Sequence, residues 1–531
     1  MNTRLMPPLM PLLTLLAILL CGCNLSQPAP ANPPTATTFS ASSSAIPTLS
    51  SRLSTLAPAG SNATATPEPT ATEAQVDTAA NADLCALPDD TPSVLHDVDA
   101  EIDPIAHTVV VTQTTRYLNR TGAPLNDIVF NVEPNYWLDA FVLTAVTGDG
   151  VGESSITGRR LTVPLTTALD SGCATSITLA FTLDVPEVSE GVEAFKGYFG
   201  YTERQFNLGH WLPTVAVRAS GGWITREAFF AGEQNVLDEA DWEVGLRVKD
   251  ETWLLAAPGD VTEYGNGRYR GTLRNARDYS VSLSPDFVKA RDITLDGVMV
   301  DVYTLGDTQV QTAEGIVDGA SHALTMATRS LELFSQLYGA YPYSRMIIVE
   351  GDFPDGMEFS AFAFVSVTWF ERYTGEPDGF LTLITVHEVA HQWWYAQVGN
   401  DSALTPWLDE ALATYSEYAF IEQFYPTLTQ WWWDFRINTY APDGFVDSTV
   451  YEFTSIRAYI NAVYLNGVRM LHQMRQDLGS EPFFDILRRY VAANTGRVVS
   501  PAAFWAQFSP EQLTATAATR TQFLRHADVG R

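Results

Sequence analysis

The chain has 531 residues, with 31 Lys and Arg against 62 Asp and Glu, for a net charge of −31. So acidic a surface repels phosphate backbones and anionic bilayers, which excludes nucleic acid and an anionic membrane surface as partners. The 46% of hydrophobic residues is ample for buried cores.

The first segment, MNTRLMPPLMPLLTLLAILLCGC, carries Arg4 ahead of an apolar run from Leu9 to Leu20. That run is the length of a secretory leader and too short to span a bilayer. Leu20-Cys21-Gly22-Cys23 resembles a bacterial lipobox. The resemblance implies that residues 1–22 are a lipoprotein-type signal peptide and that Cys23 is lipidated. The protein is then expected to be exported and held to a membrane on its extracytoplasmic side. Residues 23–84 are rich in Ser, Thr, Pro and Ala; between Asn24 and Ala80 the only charges are Arg52, Glu68, Glu73 and Asp77. Such a segment cannot bury enough apolar surface to offset its ordering entropy. It reads as a disordered tether, spanning roughly 40 Å as a flexible coil. Of the four cysteines, two lie in the leader; the others, Cys85 and Cys173, are expected to form an intrachain disulfide on the oxidising side.

Residues 85–287 read as all-β. Ile177, Leu179, Phe181 and Leu183 alternate, as do Trp242, Val244, Leu246 and Val248, and Tyr279, Val281 and Leu283. Residues 288–531 open with the strand VMVDVYTL, continue into a long helix ended by Gly339, and pass through the strands MIIVEG and FVSVTW. Beyond Glu410 the chain reads as helical throughout. No internal repeat is present.

Chemistry concentrates in HEVAHQWWYAQVGNDSALTPWLDEALATYSE, residues 387–417. If LTLITVHEVAHQWWYA is one helix, His387 and His391 stand one above the other, since four residues make about one turn. Two imidazoles are then offered to one ion. Glu388, roughly 100° round the helix, can take a proton from an attacking water without ligating the ion. A catalytic zinc needs a third protein ligand and one open position. The segment TPWLDEALATYSEYAFIEQFYP, with Thr405 as N-cap, Pro406 at the first helical position and Pro426 beyond its end, offers Asp409, Glu410, Glu417 and Glu422. Geometry alone does not choose among them. The remaining histidines, His96, His107, His210, His322, His472 and His526, have no partner at ligand spacing. Trp431-Trp432-Trp433 point in different directions on a helix and read as packing.

His387-Glu388-x-x-His391, eighteen intervening residues, then Glu410 within WLDEALATY resembles the gluzincin metallopeptidases. More narrowly, it is similar to the membrane alanyl aminopeptidase family, which also contains leukotriene hydrolase. The resemblance implies zinc, one per chain, held by His387, His391 and Glu410, with Glu388 as general base. Asp409 stands where the family usually has Asn, and Glu417 and Glu422 fall to a solvated helix face. Within DGMEFSAFAFVS, Gly356, Met357 and Glu358 match the family's G-A-M-E-N strand, while Asp355 and Phe359 depart from it. That match implies that Gly356, Met357 and Glu358 line the substrate cleft and that Glu358 binds the peptide's amino terminus. In AYINAVYLNGVRM, Tyr464 and Gly467 match the family's Tyr-Glu-Lys-Gly motif, whose tyrosine stabilises the oxyanion, while Leu465 and Asn466 depart from it. Tyr459 is a rival, since periodicity places both tyrosines toward one groove.

The fold implied is multidomain α+β: an N-terminal β-sandwich-like saddle domain, which FNLGHWLPTVAVRASGGWI also resembles, then a thermolysin-like, mostly helical catalytic domain with a small sheet. Larger relatives continue into a helical C-terminal domain. Only about 65 residues follow Tyr464, so that domain is expected to be absent. The activity implied is a zinc metallopeptidase acting on peptides outside the cytoplasm, as an aminopeptidase. A zinc endopeptidase or epoxide-type hydrolase on the same site is a competing reading, as is a surface binding module without turnover.

Overall fold

Along the strand Val94–Asp103, the side chains of Val94, His96, Val98, Ala100 and Ile102 are buried and Asp97 and Asp99 face solvent. This is what a pleated strand does with alternating residues when one face of its sheet is covered. The structure, a computed structural model, describes residues 84–85, 87–88, 91–188, 196–312 and 315–527. The leader, Cys23 and the tether up to residue 83 lie outside the described residues.

Val94–Asp103 sits in a seven-stranded sheet. It pairs in parallel with Ala240–Val248 and antiparallel with Thr108–Leu118, which pairs with Ala174–Asp184. Ile177, Leu179, Phe181 and Leu183 all turn inward, as do Trp242, Val244, Leu246 and Val248. Val281–Ser284 differs from the expected one-sided strand: Ser282 and Ser284 are as buried as Val281 and Leu283. Its second face is polar yet covered, because Ser282 Oγ donates to Asn207 Oδ1 (2.7 Å) and accepts from Gln205 Nε2 (3.3 Å). The expected disulfide joins Cys85 to Cys173, just ahead of Ala174–Asp184.

A separate five-stranded sheet runs in the order Phe287–Ile293, Met299–Leu305, Arg345–Gly351, Phe362–Ser366, Met357–Phe359. The helices Gly319–Tyr338 and Phe380–Ala390 pack against each other, the first also on Met299–Leu305 and the second on Phe362–Ser366. The long helix begins later than its apolar pattern does, since Gln309–Thr312 and Gly315–Asp318 form a hairpin and Asp318 caps Ala320 N–H. Among the described residues after Glu410, helices and their connecting loops are joined by one strand, Arg497–Val499, which pairs in parallel with Val398–Asn400. The whole is a multidomain α+β fold, and among the described residues no helix is long and apolar enough to cross a membrane.

His96 shows how histidines can serve this fold without binding metal. Its ring stacks on Trp242 at 4.2 Å, and its Nδ1 accepts from Gln113 Nε2 at 3.0 Å. Burial depresses its pKa to about 3. An unfolded histidine takes a proton below about pH 6.5. The folded chain refuses that proton, so this part of the stability is complete above pH 6.5 and is lost as pH falls. Urea unfolding followed by tryptophan fluorescence between pH 6 and 4 should therefore show a slope shallower by about 1.4 kcal/mol per pH unit in His96→Gln than in the parent. An unchanged slope would mean that His96 is charged in the fold.

Candidate metal centre

The motif helix Phe380–Ala390 is buried on every side from Leu381 to Ala390, as a helix set between a sheet and other helices must be. It ends at His391 rather than running through Ala396 as its sequence predicts. Trp394 (φ −100°, ψ 49°) and Tyr395 (φ 172°, ψ −68°) leave helical geometry. Each aromatic is claimed by a different neighbour. Trp393 Nε1 donates to Gly339 O (2.8 Å), Trp394 Nε1 to Ser416 Oγ (3.1 Å) and Tyr395 Oη to Asp278 (2.5 Å). Tertiary hydrogen bonds outweigh continuation of the helix. The second helix also starts later than expected. Thr405 does not cap it; Pro406–Leu408 form a 3-10 turn, and Glu410 is the first residue of Glu410–Phe424.

His387, His391 and Glu410 converge. The imidazole centroids are 4.7 Å apart, and the two Nε2 atoms lie 3.3 and 3.7 Å from Glu410 Oε2. One donor atom from each residue falls within 4.8 Å of the others, and all three residues are buried. The far sides of the rings are engaged by carboxylates. His387 Nδ1–H donates to Glu417 Oε1 (2.9 Å), and His391 Nδ1–H donates to Asp409 Oδ1 (2.6 Å). A carboxylate partner puts the proton on Nδ1 and leaves the Nε2 lone pair turned to the centre. Two imidazoles and a carboxylate with fixed tautomers are a donor set that fits zinc.

Glu417 thus corrects the solvated-face expectation: it is fully buried. Arg436 grips it with Nε and Nη2 at 3.0 and 2.9 Å, and although burial pushes its carboxyl up, that guanidinium holds it below the ordinary range. Glu422 is half-buried and ion-paired to Arg475 (2.7 Å).

Glu388 is buried, and its Oε2 has no hydrogen-bond partner. Burial raises its pKa to about 7. The backbone of Gly356 passes so close that a Cβ there would overlap Glu388 Oε1 and lie 2.9 Å from its Cδ. Glu358 occupies the middle of the edge strand Met357–Phe359, pairing with Ala363, and Met357 beside it is buried. Its Oε1 is also without a partner, and burial followed by the neighbouring Glu233 lifts its carboxyl well above the usual range. Phe359 is fully buried, its ring centroid 4.8 Å from that of His210, so the departure at this position is absorbed by packing.

Glu233 is a residue the sequence does not flag. It lies in FFAGEQN, between elements, with no spacing to the histidines, and only the fold brings it close to Glu358. Burial, then Glu410, raises its pKa to about 8. Tyr464 lies in the π-helical turn Ile460–Leu465 with its ring parallel to His387 (6.2 Å, 6°) and hydrogen-bonded to Glu410. Tyr459 is one step back: it hydrogen-bonds Tyr464 and packs its hydroxyl against Gly232. His322 stacks on Tyr373 and bonds Thr382, away from the centre. Among the three neighbouring tryptophans, Trp432 is fully buried and Trp431 and Trp433 are half-buried, as packing predicts.

Asp409 has a measurable consequence. Asp409→Asn keeps an acceptor for His391 Nδ1–H but removes its charge, and loss of such support typically costs 10–100-fold in metal affinity. Zinc affinity measured by competition with a chelator should fall about tenfold. Affinity equal to the parent's would remove Asp409 from the metal's support.

The convergent donor set of His387, His391 and Glu410 is the arrangement a zinc centre needs. Residues 322–521 match the Peptidase family M1 domain. The chain is 27% identical over 338 residues to aminopeptidase M1-A of Oryza sativa subsp. japonica, covering 58% of this chain and 37% of that protein. Over 267 residues it is 29% identical to aminopeptidase N of Lactobacillus delbrueckii subsp. lactis, covering 45% and 30%. It therefore spans about a third of the length of these curated relatives. Its fold is similar to that of the M1 zinc metallopeptidase from Deinococcus radiodurans, with a TM-score of 0.56, 18% identity, and 81% of this chain and 94% of that one covered. Residues 322–521 thus resemble a peptidase family M1 domain, and the relatives and solved structures the chain matches are M1 peptidases.

Proposed function

We propose that the protein is a zinc-dependent aminopeptidase that removes residues from the amino termini of peptides. The observation that carries this reading is the buried carboxylate of Glu358, with the half-buried Glu233 near it, beside the His387–His391–Glu410 centre. A peptide's amino group is the cation that such a pair would hold. Support also comes from the named activities of the rice and Lactobacillus relatives, and the Deinococcus metallopeptidase has been solved with a Tyr-Ser-Ala substrate.

Zinc, when bound, supplies the Lewis acidity that polarises the scissile carbonyl and acidifies water. His387, His391 and Glu410 would hold it. Glu388 takes the proton of the attacking water and delivers it to the leaving amine; a carboxyl titrating near neutrality suits both transfers. Tyr464 donates its hydroxyl to the developing oxyanion, an interaction that strengthens only as charge builds. Glu358, with Glu233 behind it, fixes the amino terminus so that the first peptide bond meets the zinc. Gly356 and Met357 border the same cleft. One zinc per chain suffices for this scheme.

The proposed setting is outside the cytoplasm, with Cys23 lipidated and the protein standing off a membrane. The Cys85–Cys173 disulfide supports an oxidising compartment.

The test is a set of peptides offered with free and with N-acetylated termini. An acetylated terminus leaves the buried Glu358 carboxylate without its cation, a penalty of roughly 2 kcal/mol, or about 30-fold in kcat/KM. Glu358→Ala should shrink that ratio by slowing the free-amine substrates. Equal rates on both sets in the parent, or internal cuts in the product ladder, would identify an endopeptidase instead.

A further inference from the structure

We propose that Gln392 is a positioning residue that sets where Glu358 stands relative to the metal ligands. The inference rests on the reading of Glu358 as the amino-terminus anchor and adds how that anchor is kept in register.

Met357–Phe359 is short and lies at the edge of its sheet, so it has one strand neighbour, Phe362–Ser366. Its position therefore depends on the turn that joins the two strands. That turn runs through Ser360 and Ala361, and Ala361 adopts φ 59°, a left-handed conformation that a non-glycine residue holds only when its surroundings impose it. One side chain engages both sides of the turn. Gln392 Nε2 donates to Phe359 O at 2.9 Å, and Ala361 N–H donates to Gln392 Oε1 at 2.9 Å. The amide thus meets an acceptor and a donor two residues apart, directly after Glu358. Ser360 N–H, between them, donates to the Asp278 carboxylate at 3.2 and 3.3 Å.

Gln392 is fully buried, touches neither the donor atoms nor Glu388 by hydrogen bond, and follows His391 in the chain. That covalent step is the point. The strand bearing Glu358 and the helix bearing both histidines belong to different elements, and Gln392 clips the turn of one to the end of the other. A substrate held by its amino terminus at Glu358 must place its first peptide bond at the metal, so the spacing between the two must be kept. Loss of the clip frees the turn and lets Glu358 drift while leaving the metal ligands in place.

Gln392→Met removes both hydrogen bonds at similar volume. Gln392→Glu keeps the shape and the acceptor for Ala361 N–H but sets an oxygen against Phe359 O; it serves also if the Met variant does not fold. Each variant should retain zinc. KM for free-amine peptides should rise about tenfold with kcat within threefold, as expected when binding common to ground and transition states is lost. Rates on N-acetylated peptides should change less than threefold. In a Glu358→Ala background, adding either substitution should change kcat/KM less than twofold, since the anchor it positions is gone. Equal losses on free and acetylated peptides, zinc loss, or an undiminished effect in the Glu358→Ala background would overturn the proposal. If Glu358→Ala alone leaves the preference for free termini intact, the reading of Glu358 fails and the inference falls with it. If Glu358→Ala abolishes that preference and the Gln392 effects still add, only the inference falls.

Discussion

Glu388→Gln should keep its zinc and lose on the order of 10²–10⁴-fold in kcat. The substitution preserves size and a hydrogen-bonding oxygen, so the buried pocket remains filled. It removes the carboxylate proposed to move protons. Glu388 lies on the motif helix one residue from His387, and its Oε2 has no protein partner to satisfy it, which is the condition expected of a group reserved for water. Metal analysis and peptide turnover on the same sample separate the possible outcomes. Zinc at the parent's level with lost turnover establishes the base. Parent-like turnover would eliminate it, and a parent that carries zinc but cleaves no peptide would point to a binding role for the whole fold.

Gly356→Ala should be nearly as damaging, although it adds a single methyl to a residue with no side chain. That methyl would overlap Glu388 Oε1, and its other near neighbour is Ile384 Cγ2 at 3.1 Å, so there is no easy retreat. Either Glu388 turns aside or the backbone leading into Met357–Phe359 moves away. Both displace catalytic or anchoring groups by about an ångström, and misplacement on that scale costs on the order of 10²-fold. The effect should fall on kcat/KM with little change in thermal unfolding temperature. A variant with parent-like kinetics would show that Glu388 can swing without harm. One that unfolds early would place the defect in folding.

How much of this was legible depends on which residues are asked about. His387 and His391 are legible because four residues on a helix are one turn, and their convergence with Glu410 follows once a second element is granted. The inward-facing strand residues from Ile177 to Leu183 are legible because a two-residue period has one reading when one face is covered. The end of the motif helix is not legible. Trp393, Trp394 and Tyr395 continue the apolar pattern, and only their bonds to Gly339, Ser416 and Asp278 reveal why the backbone turns. Glu417 is misread for a related reason: an acid beyond the expected ligand has no sequence mark of burial, and its partner Arg436 lies 19 residues on. Glu233 is further still. Its approach to Glu358 joins residues 125 positions apart (358 − 233), and no local pattern in FFAGEQN encodes it. Tyr464 and Tyr459 are alike in periodicity, and the difference between them is set by what Gly232 and Glu410 place beside each hydroxyl.

The disulfide between Cys85 and Cys173 also decides what a proteolytic cut on either side of Cys85 achieves. Leu84 O accepts from Ala174 N–H, so the chain enters the seven-stranded sheet beside Ala174–Asp184 as well as through its own first strand at Val94. A protease that cuts between Cys85 and Val94 severs the backbone but frees nothing, because the sulfur bridge still joins the two pieces. A cut ahead of Cys85 separates the preceding segment from the described domains. Which side of one cysteine is clipped therefore decides whether the two pieces part, and a reductant converts the first kind of cut into the second.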